Sequence, residues 1–149
     1  QILLIGLGSV GKRHLNNIWM NQLKECLNKK SMIEEEYITF ETAKLAKEKG
    51  FDIPCVRYFK NKIITTECSM PMNSNAFKEE YSQPTQTILA RWLREFHNMS
   101  VESNSIFYGY SYAVKRSDNG KTLVDGFSHG NNTYEEAMEL GLQEALKLI

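Results

Sequence analysis

The chain lacks the cysteine and histidine patterns on which disulfide scaffolds and metal sites depend. Its three cysteines, Cys26, Cys55 and Cys68, are odd in number and widely spaced, and they form no Cys-x-x-Cys pair. A disulfide framework needs paired cysteines, and a zinc site needs clustered cysteines and histidines. We therefore expect reduced thiols in a cytoplasmic protein, with no disulfide and no metal site.

An excess of charge of one sign is also absent. Lys plus Arg and Asp plus Glu number 18 each, so the formal net charge is +0. A chain of this kind has no global field that attracts nucleic acid or an anionic membrane, although the balance of charges does not exclude a local basic patch. No apolar run approaches the roughly 20 residues that a helix needs to cross a bilayer. We expect no membrane partner.

Catalytic motifs are missing as well, since the chain contains no P-loop, HExxH or EF-hand pattern. A hydrolase triad needs a nucleophile, a base and an orienting acid, and the only bases of that type are His14, His97 and His129. We expect His97 at a helix C-terminus and His129 in a turn. The acidic residues of the last helix, Glu139 among them, are predicted to face water. These patterns favour a protein without a catalytic site.

Helix and strand signals are present from Thr39 onward. Thr39–Asp52 predicts a helix with Thr39 as its N-cap and Gly50 as its left-handed terminator. Two β-rich runs, Cys55–Phe59 and Ile63–Thr66, predict a hairpin. Glu67–Pro84 has no period and predicts a poorly ordered loop or an excursion that covers an edge, with a binding lid as the alternative.

The second half of the chain repeats the pattern. Thr85–His97 predicts an amphipathic helix with Thr85 as its cap. Ser105–Lys115 predicts one strand, Lys121–Ser128 its partner with a bulge at Gly126, and Thr133–Ile149 a final helix with a Thr-x-x-Glu capping box. Its apolar face contains a glycine, which predicts close approach to another element. The apolar face of the middle helix is predicted to comprise Ile88, Leu89, Trp92, Leu93 and Phe96.

The predicted order is therefore α-β-β-α-β-β-α, in which helices pack on antiparallel hairpins. This order defines an α+β domain over residues 36–149. Residues 1–35 are predicted to form a strand–turn–helix that precedes the domain as an appendage or leader.

The opening of the chain carries a glycine motif. Ile2–Ile5 predicts a buried strand, and Gly6, Gly8 and Gly11 complete G-x-G-x-x-G before a helix that starts at Lys12. GLGSVGKRH resembles the opening of the Gfo/Idh/MocA oxidoreductases, and this resemblance implies NAD(P) binding by the three glycines. It covers residues 1–19. Neither the substrate domain nor the catalytic lysine motif of that family has a counterpart here, so an NAD(P)-binding oxidoreductase fragment is an alternative interpretation.

A second resemblance covers residues 36–149. The segments TFETAKLAKEKGFDIPCVRYF, PTQTILARWLREFHNM and TYEEAMELGLQEALKLI resemble small proteins of Bacteroidetes phages and prophages. This resemblance implies a phage context and names no reaction. Our leading hypothesis is a non-enzymatic binding or accessory protein that acts on a protein or nucleic-acid partner.

A possible ligand platform combines tyrosines and arginines. Tyr108, Tyr110 and Tyr112 alternate along the predicted strand, and Arg91 and Arg94 lie on the preceding helix. Aromatic rings flanked by arginines hold single-stranded nucleic acid or nucleotides, which makes such a binder the second alternative. The competing interpretation is that the tyrosines pack under a helix with their hydroxyls at the rim.

Overall fold

An α+β fold is present in residues 35–66, 70–127 and 133–149, which the computed structural model describes. The described residues belong to one compact unit, Glu35–Ile149. The predicted strand–turn–helix of residues 1–35 falls almost entirely outside them. The elements are α1 (Phe40–Glu48), β1 (Tyr58–Lys60), β2 (Ile63–Thr65), β3 (Glu80–Ser82), α2 (Gln86–His97), β4 (Met99–Ile106), β5 (Gly109–Arg116), β6 (Thr122–Phe127) and α3 (Tyr134–Lys147).

The first helix has the ends that its sequence predicts. Thr39 accepts a hydrogen bond from the backbone N–H of Thr42, as an N-cap does. At the other end Gly50 has φ of 86°, and the N–H of Phe51 bonds to the carbonyl of Ala46. This is a Schellman cap, and it turns Phe51 into the core, where its side chain is fully buried.

The first sheet contains a strand that the sequence does not reveal. β1 and β2 form the predicted hairpin, and β3 pairs antiparallel with the free edge of β1, so the order is β2-β1-β3. Of the structures predicted for Glu67–Pro84, the poorly ordered loop is wrong for Glu80–Ser82, and the excursion that covers an edge is confirmed there. Asn75 holds the segment in place, because its amide donates to the carbonyl of Phe51 at 2.6 Å and accepts from the N–H of Ser82 at 2.8 Å.

The middle helix begins after Thr85 and is capped at its C-terminus by Asn98, whose φ of 55° is left-handed. Its buried face differs from the predicted one at its margins, because Ile88 and Phe96 are exposed while Gln86 and Ala90 are buried. The centre of the face is as predicted, with the following residues in the core: Leu89, Trp92 and Leu93.

The second sheet has three strands, in the order β4-β5-β6. The prediction of one strand over Ser105–Lys115 is wrong, because the chain reverses at Phe107 and Tyr108, and Ile106 pairs with Gly109. Gly109 has φ of 136°, a conformation that glycine reaches without strain and that permits so tight a reversal. The alternation of residue types continues through the turn and so conceals it.

The register irregularity between β5 and β6 also differs from the prediction. It falls between Val114 and Lys115 and not at Gly126. Gly126 instead lies under the ring of Tyr112, where an added Cβ would come within 2.6 Å of the tyrosine oxygen. The glycine therefore makes room for a cross-strand aromatic ring.

The last helix covers one face of the second sheet. Thr133 caps it by accepting from the N–H of Glu136 at 3.1 Å. Gly141 lies so close to β4 and β5 that an added Cβ would be 2.7 Å from Cγ1 of Val101, which confirms the predicted close approach. The core at this contact comprises Val101, Val114, Leu142, Ala145 and Leu146.

Candidate functional site

The two faces of the β4-β5-β6 sheet differ in what lies on them. Successive side chains of a strand point to opposite faces, so the side chains that alternate with Val101 and Val114 point away from α3. On that outer face Asn104, Asp125 and Phe127 remain exposed among the described residues. The outer face is therefore the surface to examine for binding.

A groove runs along β5 on the outer face. The outward side chains of this central strand are small: Gly109, Ser111 and Ala113. The flanking strands carry larger ones, with Asn104 and Ile106 on β4 and Asp125 and Phe127 on β6. Small residues between two rows of larger ones leave a cleft of about 550 Å³.

The polar groups of the groove stand on both of its walls. Asn104 on β4 is opposite Ser111, and Asp125 on β6 is opposite Ala113. The hydroxyl of Ser111 donates to the main-chain carbonyl of Asn104 at 3.4 Å. The side chains of Asn104 and Asp125 make no hydrogen bond or ion pair with the part of the chain that the structure describes. An amide and a carboxylate thus remain available to a ligand.

One end of the groove is closed by charge and the other end is aromatic. Lys115 lies beyond Ala113 on β5 and forms an ion pair at 2.6 Å with Glu102, the β4 partner of Ala113, which leaves Asp125 as the uncompensated charge. At the opposite end the β4–β5 turn exposes 89% of Phe107 and 88% of Tyr108, whose rings meet edge-to-face at 4.6 Å. The ring of Phe127, on the neighbouring strand, is 60% exposed.

The predicted tyrosine stripe is divided by the turn. Tyr108 lies in the turn, whereas Tyr110 and Tyr112 follow on β5 and point toward α3. Tyr110 packs edge-to-face on Tyr134 with ring centroids 6.1 Å apart, and Tyr112 covers Gly126. Both are half-buried. A continuous open platform of the three rings is therefore not formed.

The two arginines of the predicted platform lie on the exposed side of α2. Arg91 donates to Glu95 at 2.7 Å, and this hydrogen bond, together with the attraction to the carboxylate, raises the pKa of Arg91. Arg94 is exposed. Within the described ranges, neither guanidinium stacks on a tyrosine ring. The structure thus does not join the two arginines to the tyrosines.

The other predicted sites are placed as follows. Gly6, Gly8 and Gly11 lie outside the described residues, as do His14 and His129. His97 ends α2 and packs on Trp92 with ring centroids 4.4 Å apart. Burial raises the pKa of the Cys55 thiol to about 11, so this side chain is a poor nucleophile.

A buried polar cluster was missed by sequence reasoning. The prediction that Glu139 faces water is wrong, because its residue is only 9% exposed. Its Oε1 accepts from the N–H and hydroxyl of Thr39, both at 2.8 Å, and from the hydroxyl of Thr42 at 2.5 Å. Its Oε2 accepts from Gln86 at 3.1 Å. The carboxylate thus caps the N-terminus of α1 from another helix.

This cluster has the character of a structural joint. Four donors from two segments occupy the Glu139 oxygens, and Gln143 donates in turn to Thr42 at 2.8 Å. A carboxylate with its acceptors already occupied by protein donors has little capacity left for a ligand. No local signal marks Glu139 in the sequence, because Thr39 lies 100 residues away along the chain.

Neither a cluster of metal-binding side chains nor a helix that could span a membrane is present among the described residues. Nowhere in residues 35–66, 70–127 and 133–149 do three His, Cys, Asp or Glu side chains come together as a metal site. None of the helices in those ranges has the length and apolar character that crossing a bilayer requires.

Comparisons with known proteins give no relative. The chain matches no protein-family model, and neither a curated protein nor a solved structure is significantly similar to it.

Proposed function

We propose that this chain is a non-enzymatic binding protein that holds its partner in the groove on the outer face of the β4-β5-β6 sheet. The observation that carries the proposal is the groove itself. It combines a floor of small residues, an unpaired amide and carboxylate on its walls, and exposed aromatic rings at one end. Concave sites with a few convergent polar groups are typical of ligand binding.

Binding is favoured over catalysis by the chemistry of the groove walls. General acid–base catalysis needs a titratable side chain in reach of the reacting proton, and nucleophilic catalysis by a hydroxyl needs a base, itself oriented by a third group, beside that hydroxyl. Among the described residues that line the groove, Asp125 carries the one carboxylate, and the other titratable side chain, Tyr112, has its ring against Gly126 and Gly141. Glu102 lies in the same row of the sheet as Asp125, on the other side of Ala113, and Lys115 holds it in an ion pair. A single carboxylate orients or recognises a ligand more readily than it catalyses a reaction.

The phage and prophage context and the cytoplasmic location belong to the same proposal. They rest on the resemblance of three motifs to small proteins of Bacteroidetes phages, and on the odd number and wide spacing of the cysteines. Nucleic acid and NAD(P) are carried as competing ligands. The uncompensated Asp125 disfavours the phosphates of both at the groove, because like charges repel.

The test is an amide-resolved NMR titration of the full chain. The probes are a single-stranded oligonucleotide, NAD(H), NADP(H), pools of short peptides and neutral oligosaccharides at millimolar concentration. We expect one class of probe to shift the amides of Ser111, Ala113 and Asp125, while Lys44 and Glu48 on α1 stay unchanged. Probes that shift only other regions, or that leave the groove amides unmoved, would overturn the proposal.

A pair of substitutions serves as the control. Ser111→Trp fills the floor of the groove and is expected to abolish the shifts. Ser117→Trp introduces the same ring in the exposed turn between β5 and β6, and it is expected to leave the shifts intact. Equal behaviour of the two variants would contradict binding in the groove.

A further inference from the structure

We infer that the groove binds an uncharged saccharide, either a single sugar ring or a short stretch of glycan. The inference rests on the proposed function, because it names the occupant of the same groove. Five properties of the groove support it: main-chain pairing, the polar side chains, an aromatic surface, net charge and width.

The N–H and C=O groups of β5, beneath the groove, are largely engaged by the neighbouring strands. β5 is the central strand and is paired along its length with β4 and over most of it with β6. An extended peptide gains affinity by adding a strand to a sheet edge, and a peptide that lay on this face would gain no such bonds. The occupant is therefore recognised by side chains alone.

Those side chains suit hydroxyl groups. The carboxylate of Asp125 accepts two hydrogen bonds or more, and the amide of Asn104 both donates and accepts. The Ser111 hydroxyl, which donates to the Asn104 carbonyl, still accepts from above. A ring that carries several neighbouring hydroxyls offers donors and acceptors at short intervals, which satisfies all three side chains together.

An aromatic surface lies in the same row. Asn104, Ser111 and Phe127 are register partners across the three strands, so the exposed ring of Phe127 flanks the polar groups directly. Ile106 borders the other wall. A sugar ring has an apolar C–H face and a polar hydroxyl edge, and its C–H face packs on apolar and aromatic side chains.

The charge of the groove selects against anions. Glu102 and Lys115 neutralise each other, and Asp125 leaves an excess of one negative charge. A nucleotide or an oligonucleotide would bring phosphate close to this carboxylate and would be repelled. An uncharged saccharide meets no such repulsion.

The width of the groove favours a ring over a helix. β4 and β6 are separated by two strand spacings, or about 10 Å, and their side chains narrow the opening. An α-helix with its side chains is about 10–12 Å across and would rest on the walls without reaching Ser111. A single ring can enter the groove and reach the floor.

The experiment is an NMR titration of the full chain with neutral mono- and oligosaccharides of glucose, galactose, mannose and N-acetylglucosamine. At least one is expected to shift the Ser111 and Asp125 amides. Asp125→Ala and Phe127→Ala should each weaken that binding by about 10-fold or more, which is the loss expected when a charge-assisted hydrogen bond or a buried contact is removed.

Matched variants separate the groove from the rest of the surface. Asp118→Ala removes an exposed aspartate from the β5–β6 turn, and Phe77→Ala removes an exposed phenylalanine far along the chain. Both should bind saccharide as the unaltered chain does. Binding that is lost equally in Asp118→Ala, or kept in Asp125→Ala, would overturn the inference.

The same titration distinguishes the inference from the proposal on which it rests. If a peptide or an oligonucleotide shifts the groove amides and no saccharide does, the saccharide inference fails and the binding function stands. If no probe shifts those amides, both fail.

Discussion

The two faces of the β4-β5-β6 sheet are made from alternate residues of the same three strands, yet one face is packed in the core and the other is exposed. The inner face buries Val101 and Val114 against α3, which approaches closely enough to require Gly141. The outer face leaves Asn104 and Asp125 exposed beside a groove. Substitutions on the inner face should therefore change stability, and those on the outer face should change binding.

The same contrast is visible in two carboxylates. Glu139 is buried and receives four hydrogen bonds from Thr39, Thr42 and Gln86. Asp125 is exposed and has no partner within the described residues. A carboxylate that is satisfied inside the protein holds elements together, whereas one left in an open groove is available to a ligand.

The largest effect is expected where the inner face meets α3. Leu142 is fully buried, so Leu142→Ala should lower the free energy of unfolding by about 2–5 kcal/mol, through lost apolar contact and the cavity left behind. Urea denaturation measures the change. Leu148 is the exposed residue that caps the C-terminus of the same helix, and Leu148→Ala should change the free energy of unfolding by about 0.5 kcal/mol or less. A similar loss of unfolding free energy in both variants would show that the inner face does not stabilise the fold.

The close approach of α3 gives the second prediction. In Gly141→Val, the new Cβ would lie only 2.7 Å from Cγ1 of Val101. The overpacking should cost about 1–3 kcal/mol of unfolding free energy.

A double variant identifies the cause of that cost. Val101→Ala removes the methyl group that the new Cβ meets, so the two substitutions together should cost less than the sum of their separate effects. Simple additivity in urea denaturation would mean that the helix does not contact β4 at Gly141.

The third prediction concerns the buried carboxylate. Glu139→Ala leaves the donors of Thr39, Thr42 and Gln86 without their acceptor, which should cost about 1–3 kcal/mol. Glu135→Ala removes an exposed carboxylate one turn earlier in α3 and should cost about 0.5 kcal/mol or less. Equal losses in thermal or urea unfolding would show that Glu139 is no more than a surface residue.

Local signals predicted the parts of this fold that depend on neighbouring residues. The caps at Thr39, Thr85 and Thr133 and the terminator at Gly50 are set by side-chain and backbone hydrogen bonds within a turn of each helix end. Such interactions depend on spacing along the chain, so a pattern of residue types is enough to identify them.

Features that depend on distant residues escaped prediction. The reversal at Phe107 interrupts neither the alternation of residue types nor their β propensity, and only Gly109 marks it. Glu139 resembles any charged helix residue until α1 is placed against α3. The groove was half visible, because Gly109, Ser111 and Ala113 share a face, but its walls depend on strand registers that the sequence does not specify.

The smallest change in stability is expected from a substitution on the outer face, at Asp125. Asp125→Ala removes a carboxylate with no partner in the described part of the chain, so the free energy of unfolding should change by no more than about 0.5 kcal/mol. The same truncation at Glu139 removes an acceptor that three residues share. Urea denaturation of the two variants side by side tests whether the faces differ as the contacts indicate. A loss for Asp125→Ala that matched the loss for Glu139→Ala would make Asp125 a structural residue and remove the groove's principal recognition group.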